Sequence, residues 1–223
     1  MTLPAVVIIV PVLRRPHRVA PLMENVAASM QTDHRLLFVA TDNDDGELAA
    51  LEAAGADHIT IPPSTIGDYA KKINAGYEAS EEPFLFTGAD DLNFHPGWYE
   101  AAVRIMLEYP RIGVVGTQDL GSQRVIAGKH ATHSLVRRAY ATTRGTVDAR
   151  RKVLHDGYPH EYVDDELVGT ARHRQAFAFA NDSIVEHMHP LWGKGETDEL
   201  YDQHAERMRA GRQIFLRRRH RWT

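Results

Sequence analysis

Short apolar runs follow one another along the first half of the chain, each closed by a turn signal and followed by a stretch with helical spacing. Ala5 to Val12 is β-branched, unbroken and bounded by prolines, the pattern of a strand buried on both faces. Arg35 to Ala40, His58 to Ile61, Phe84 to Thr87 and Ile112 to Gly116 repeat it. Between them the spacing predicts helices over Pro16 to Ser29, Glu47 to Ala54 and Ile66 to Ala79, and a further one opened by His95-Pro96-Gly97 and running to about Glu108. Strands alternating with helices at this interval predict an α/β fold, a mostly parallel sheet with helices on both faces. The pattern becomes irregular after Gly116, but no flexible linker or repeat marks a second unit, so residues 1–223 are expected to form one domain.

Composition excludes several classes. With no cysteine, there is no disulfide framework, thiolate nucleophile or zinc–thiolate site. A net charge of −4 gives no global field toward DNA. The longest apolar run, Ala5 to Val10, is far too short to span a membrane. Met1-Thr2-Leu3-Pro4 lacks the basic start of a secretory signal, and a cytoplasmic location is the expectation. Arginines crowd the C-terminal stretch from Arg207 to Arg221, by default a solvated helix face or tail; contact with an anionic acceptor or a membrane surface is the sharper reading.

Three segments carry chemistry. Phe84-Leu85-Phe86-Thr87 runs through Gly88-Ala89 into Asp90-Asp91, a buried strand that ends in paired acids. Open α/β sheets bind ligands beyond their strand carboxyl ends. Two acids there suit a hard divalent cation shared with substrate phosphates; a solvated Asp-Asp turn is the plain alternative. Val185-Glu186-His187-Met188-His189-Pro190 puts two imidazoles on one side of a strand end, if they are not simply surface or packing histidines. His160 to Leu167 holds four acids within six residues, ahead of a helix expected from Leu167 to about Arg174. A carboxylate there is either a general base or an N-terminal helix cap.

Val10-Pro11-Val12 followed by Arg14-Arg15-Pro16, then Thr41-Asp42, then Gly88-Ala89-Asp90-Asp91 with His95-Pro96-Gly97-Trp98, form an ordered set. Their order and spacing resemble the nucleotide-diphospho-sugar domain of GT-A fold glycosyltransferases of the family 2 type, over Val6 to about Met106. The chain also resembles small glycosyltransferases encoded by actinobacterial phages.

The resemblance implies a Rossmann-like GT-A sheet, with residues 1–116 as the nucleotide-sugar half and 117–223 as the acceptor half. It implies a metal-dependent transfer of a sugar from a nucleotide donor to a hydroxyl, with inversion. Asp90 and Asp91 stand for the metal motif, although Gly88 replaces an acid that many relatives carry there, which leaves open which of the two binds. A late histidine, His187 or His189 with His187 favoured, would complete the shell of a Mn2+ or Mg2+ ion, and an imidazole tilts the choice to Mn2+. Pro11, Val12, Arg14, Asp42, Lys71 and Asp90 would contact the donor, a UDP-sugar ahead of a GDP-sugar. Asp165 is the expected base, with Asp164 as runner-up. If the phage likeness holds, the acceptor would be a virion protein or a modified DNA base.

Other placements follow the same reading. Lys71 and Lys72 are solvated lysines by default, with contact to the donor as the sharper reading, and Trp98 belongs to the core ahead of the sugar pocket. The polar stretch Gly121 to Thr146 is expected to be an acceptor-side loop, and Leu191 to Gly195 a second lid with Lys194 near phosphate. Two further functions stay in view. A nucleotidyltransferase would carry a glycine-rich loop where this chain has Pro11-Val12-Leu13-Arg14-Arg15, and a non-catalytic nucleotide-sugar binder would release no product.

Overall fold

β1 (Val6–Pro11) pairs in parallel with β2 (His34–Thr41), and the helix between them, α1 (Val19–Ser29), is entered through a 3-10 turn at Pro16–Arg18. α2 (Asp45–Ala53), β3 (His58–Ile61), α3 (Asp68–Glu78) and β4 (Phe84–Thr87) continue the alternation. β5 (Leu92–Phe94), α4 (Trp98–Glu108), β6 (Val114–Gln118), α5 (Gln123–Ile126), β7 (Ser134–Arg137) and α6 (Arg138–Thr143) follow. The chain closes with α7 (Val163–His173), β8 (Phe177–His187), α8 (Glu199–Asp202) and α9 (His204–Arg218). This computed structural model describes residues 2–64, 66–202 and 204–222.

Among the described residues eight strands form one sheet in the order β3-β2-β1-β4-β7-β6-β8-β5. β3, β2, β1 and β4 run parallel, as do β6 and β8; β7 is antiparallel to both its neighbours, and β5 to β8. Alternation along β1 divides the core. Val6, Ile8 and Val10 pack with Val19, Leu22 and Val26 of α1 and with Trp98 and Val103 of α4. Val7 and Ile9 face Ala70 and Ile73 of α3 and Val163 and Leu167 of α7. Burial on both faces explains the unbroken apolar sequence of β1.

The expected α/β class and parallel core are therefore present, with differences in the second half. Gly121 to Thr146 is not one long loop: Ser134, Leu135 and Val136 are buried sheet residues, and Tyr140 and Ala141 are buried in α6. β8 escapes a reading by alternation because its register shifts opposite Thr117 and Gln118, where Asn181 and Asp182 turn outward and Ser183 is buried with its hydroxyl donating to Trp98 O (2.7 Å). Trp98 is fully buried in the core. Lys72, expected in solvent, is fully buried: its ammonium donates to Val12 O (2.7 Å) and pairs with Asp68 (2.9 Å). Lys194 pairs with Glu186 and not with the cleft described below.

The C-terminal arginines are not all a solvated face. The Arg218 guanidinium donates to both oxygens of Glu166 (2.7 and 2.8 Å), and the Tyr158 hydroxyl donates to Glu166 Oε2 (2.8 Å), so α9 is pinned to α7. Glu166 is only 3% exposed, and losing its partner leaves a buried carboxylate uncompensated. Arg218→Met is expected to cost about 3 kcal/mol in urea unfolding, with most of it restored by adding Glu166→Gln. An additive double variant would contradict the pairing. Among the described residues no helix is long and apolar enough to cross a membrane.

Candidate active site

The carboxyl ends of β1 and β4 open into one cleft of about 460 Å3. Pro11, Val12 and Arg14 line it where the chain leaves β1; Asp90 and Asp91 line it beyond β4. His187 and His189 reach it from the end of β8, and Asp164 from the first turn of α7. The fold thus brings together eight of the side chains singled out in the sequence.

Two loops that feed the cleft carry non-glycine residues in left-handed conformation, Arg14 (φ 51°) and Tyr162 (φ 73°). The first loop is held by its surroundings. Arg14 N donates to Asp44 Oδ2 (2.7 Å), Arg15 N to Glu47 Oε2 (2.8 Å), and Lys72 holds Val12 O. In the loop after β4, Gly88 N donates to Ile9 O (2.8 Å), and a Cβ on Gly88 would lie 2.7 Å from that oxygen. This close approach to β1 accounts for glycine where an acid was expected.

The acidic pair is buried and surrounded by positive charge. Asp91 Oδ2 lies 3.2 Å from His187 Nε2 and accepts a hydrogen bond from the Tyr201 hydroxyl (2.9 Å). Arg15 and Arg18 each donate to Asp90 Oδ1 (3.1 and 3.3 Å), and Arg18 lies 3.6 Å from Asp91. Burial would raise the Asp91 carboxyl, but His187, Tyr201 and Arg18 outweigh it and hold it well below the usual carboxylate range. Burial, then the neighbouring Asp91 charge, pushes Asp90 up to about 6 against the two arginines. Burial opposes the His187 cation, yet Asp91 raises it overall. An ionised carboxylate beside an imidazole is a donor set that suits a divalent ion of the Mn2+ type, with room for oxygens of a ligand. Asp91 and His187 therefore fit such an ion. His189 is next to this pair, its ring 5.0 Å from that of His187, but its Nδ1 accepts from Leu191 N (3.1 Å) and burial lowers it to about 4.

A second polar cluster lies at the start of α7. Helix residues one apart point roughly 100° from each other, and of these two adjacent aspartates one faces the cleft. Asp164 does, with Oδ1 accepting from Asp165 N (2.9 Å) and Oδ2 from His130 Nε2 (2.9 Å). Asp165 turns to Arg124 (2.6 Å) and is not on the cleft wall. Ligand-type atoms of His130, Asp164 and Asp165 all lie within 4.8 Å of one another. In this structure Arg124 and the imidazole hydrogen bond balance these carboxylates, which form an ion-pair network whose spacing would also suit a metal ion. Burial would raise Asp164, but His130 holds it low; Asp165 is raised by burial and by Asp164.

Two expected donor contacts lie off the cleft wall. Asp42 is exposed in the turn after β2, where Asp44 is the acid that touches the first loop. Lys71 donates to Ser64 Oγ (2.5 Å), and it is Ser64 that lines the cleft. Sequence reading passed over Arg15, Arg18, Tyr201, Asp198 and His130. Arg15 is 8% exposed, forked onto Asp198 (2.6 and 3.0 Å), with its guanidinium 4.6 Å above the Tyr201 ring. Arg14-Arg15 was visible as a pair, but nothing in one sequence says which member turns inward.

The profile of one family, described as glycosyl transferase family 2, matches residues 7–161, well over half of the chain. No match is found among curated proteins. Similar solved structures include glucosyl-3-phosphoglycerate synthase from Mycobacterium tuberculosis in complex with Mn2+, UDP and glucosyl-3-phosphoglycerate, at 13% identity and TM-score 0.65, over 96% of this chain and 80% of that one. The same synthase with Mn2+, UDP and phosphoglyceric acid aligns at 14% identity and TM-score 0.67, over 96% and 78%. Its complex with Mn2+, UDP-glucose and glycerol 3-phosphate gives 14% identity and TM-score 0.64, over 96% and 80%.

Proposed function

The chain belongs to glycosyl transferase family 2, and on that premise we propose that it transfers a hexosyl group from a UDP-sugar to a small hydroxyl acceptor, with inversion and with the help of a divalent cation. The observation that carries the reading is the Asp91–His187 pair, 3.2 Å apart, in the same cleft as the oriented carboxylate of Asp164. Asp91 and His187 would hold Mn2+, or Mg2+ as the weaker fit to an imidazole, with Asp90 as the neighbouring carboxylate. When bound, the cation supplies Lewis-acid neutralisation of charge on the departing diphosphate.

The other roles belong to the chain itself. Pro11 and Val12 give the base an apolar wall that Lys72 holds in place. Arg15, on the cleft wall, presents a planar, always charged fork suited to diphosphate oxygens, and Arg18 adds positive charge behind Asp90 and Asp91. Asp42 and Lys71, off the cleft wall, drop out of the donor contacts. Asp164 takes the place expected for Asp165. It accepts the proton of the acceptor hydroxyl as that oxygen bonds to the anomeric carbon, while the anomeric C–O bond breaks and its electrons leave on the diphosphate. In this reading residues 1–116 supply most of the donor site, and His187 and Tyr201 join it from later in the chain.

The similar synthase was solved with phosphoglyceric acid and with glycerol 3-phosphate, small hydroxyl compounds. They support a small acceptor ahead of a virion protein or a DNA base. A nucleotidyltransferase is disfavoured because β1 leads into Pro11-Val12-Leu13-Arg14-Arg15 with no glycine. A thermal-shift panel of UDP, GDP and dTDP, each with Mn2+, Mg2+ or EDTA, tests the donor site. UDP with Mn2+ is expected to stabilise most, by about 2.7 kcal/mol at a hundred times Kd, and EDTA to remove the gain. No shift with any combination would overturn the reading.

A further inference from the structure

Among the clusters outside the metal-type pair, the one at the start of α7 has an order that ion pairing alone does not require. His130 is 6% exposed, does not line the cleft, and is aimed at the one acid of the pair that does. Its Nε2 lies 2.9 Å from Asp164 Oδ2; a carboxylate oxygen there accepts, so Nε2 carries the hydrogen. Asp165 N donates to the other oxygen of Asp164 (2.9 Å). Asp164 is thus held at both oxygens, one by backbone and one by a ring that can change its charge. On the far side, His130 Nδ1 lies 3.8 Å from Asp165 Oδ1, and Arg124 clamps that same oxygen at 2.6 Å.

Resting on the reading of Asp164 as base, we propose that His130 is a positioning residue for the transfer: its neutral ring aims the Asp164 carboxylate, and its protonation weakens that carboxylate as a base. A neutral N–H orients an acceptor at little cost to its basicity. An imidazolium in the same place withdraws more, because its full positive charge 2.9 Å from Asp164 Oδ2 stabilises the ionised carboxylate by direct Coulomb attraction in addition to the hydrogen bond. The groups that face His130 are Asp164 and Asp165 of α7 and Arg124 of α5. Burial and Arg124 oppose the cation, but the two carboxylates prevail and raise the ring above its ordinary value. The sign follows. The imidazolium persists to higher pH than in a free histidine, so turnover falls as pH drops through that raised value.

The test uses full-length wild type, His130→Gln and His130→Ala, with UDP-glucose, Mn2+ and a small hydroxyl acceptor, followed by UDP release across mildly acidic to mildly alkaline pH. Mn2+–UDP binding is measured alongside by calorimetry. Glutamine keeps an N–H donor but does not titrate; alanine has neither property. The expected result is a kcat reduced roughly tenfold or more in His130→Ala, partial recovery in His130→Gln at alkaline pH, and loss of the histidine limb in both. Donor KM and Mn2+–UDP affinity stay at wild-type values. An unchanged pH profile in the folded glutamine variant would overturn the proposal, as would a loss of kcat matched by an equal loss of UDP affinity. Wild type that binds Mn2+–UDP but never releases product would overturn the transfer reading itself, and this role with it.

Discussion

Asp91→Asn is expected to lower turnover by roughly a thousandfold, the effect of removing on the order of 4 kcal/mol of charge stabilisation at the leaving group. Mn2+-dependent UDP binding should vanish with it. The amide keeps the volume and can still accept from Tyr201, so the side chain stays where it is. What it loses is the negative charge that faces His187, Arg15 and Arg18. Because that charge is more stable in the folded protein than in water, the variant should also melt lower than wild type. UDP release and calorimetry, run beside a melting curve, separate the two effects. Retained Mn2+-dependent binding would remove Asp91 from the metal's shell.

Asp164→Asn should cost about a hundredfold to ten-thousandfold in kcat, the range for loss of a general base. Mn2+–UDP affinity should be preserved, since the donor groups gather around Asp91 and Arg15. Asp165→Asn should cost much less, since that carboxylate is spent on Arg124 away from the cleft wall. Steady-state kinetics on both variants decide the matter. The reverse ranking would return the base to Asp165.

How far the sequence could be read depended on where the deciding contacts lie. The strand Phe84–Thr87 and its acids were legible because burial on both faces leaves a continuous apolar run, and the run stops where the chain meets the cleft. His187 could be named, and favoured over His189, from the resemblance and its place at a strand end; its contact with Asp91 is visible only in the structure. The choice between Asp164 and Asp165 was not available to sequence alone. It turns on the first residue of α7, which is Val163 and not Leu167, and boundaries are the least certain part of any reading by periodicity. Arg15, Tyr201 and His130 were passed over for a common reason. Each acts through partners far away in sequence: Arg15 with Asp198, Tyr201 with Asp91, and His130 with Asp164. β8 stayed hidden because its bulge exposes Asn181 and Asp182 in the middle of a strand.

The most direct test of the account is an anomalous-scattering map from crystals grown with Mn2+ and UDP. A single manganese peak within bonding distance of Asp91 and His187, with UDP oxygens completing its shell, is the predicted result. A peak between His130, Asp164 and Asp165 would contradict it, since the same carboxylate cannot hold the metal and serve as the base.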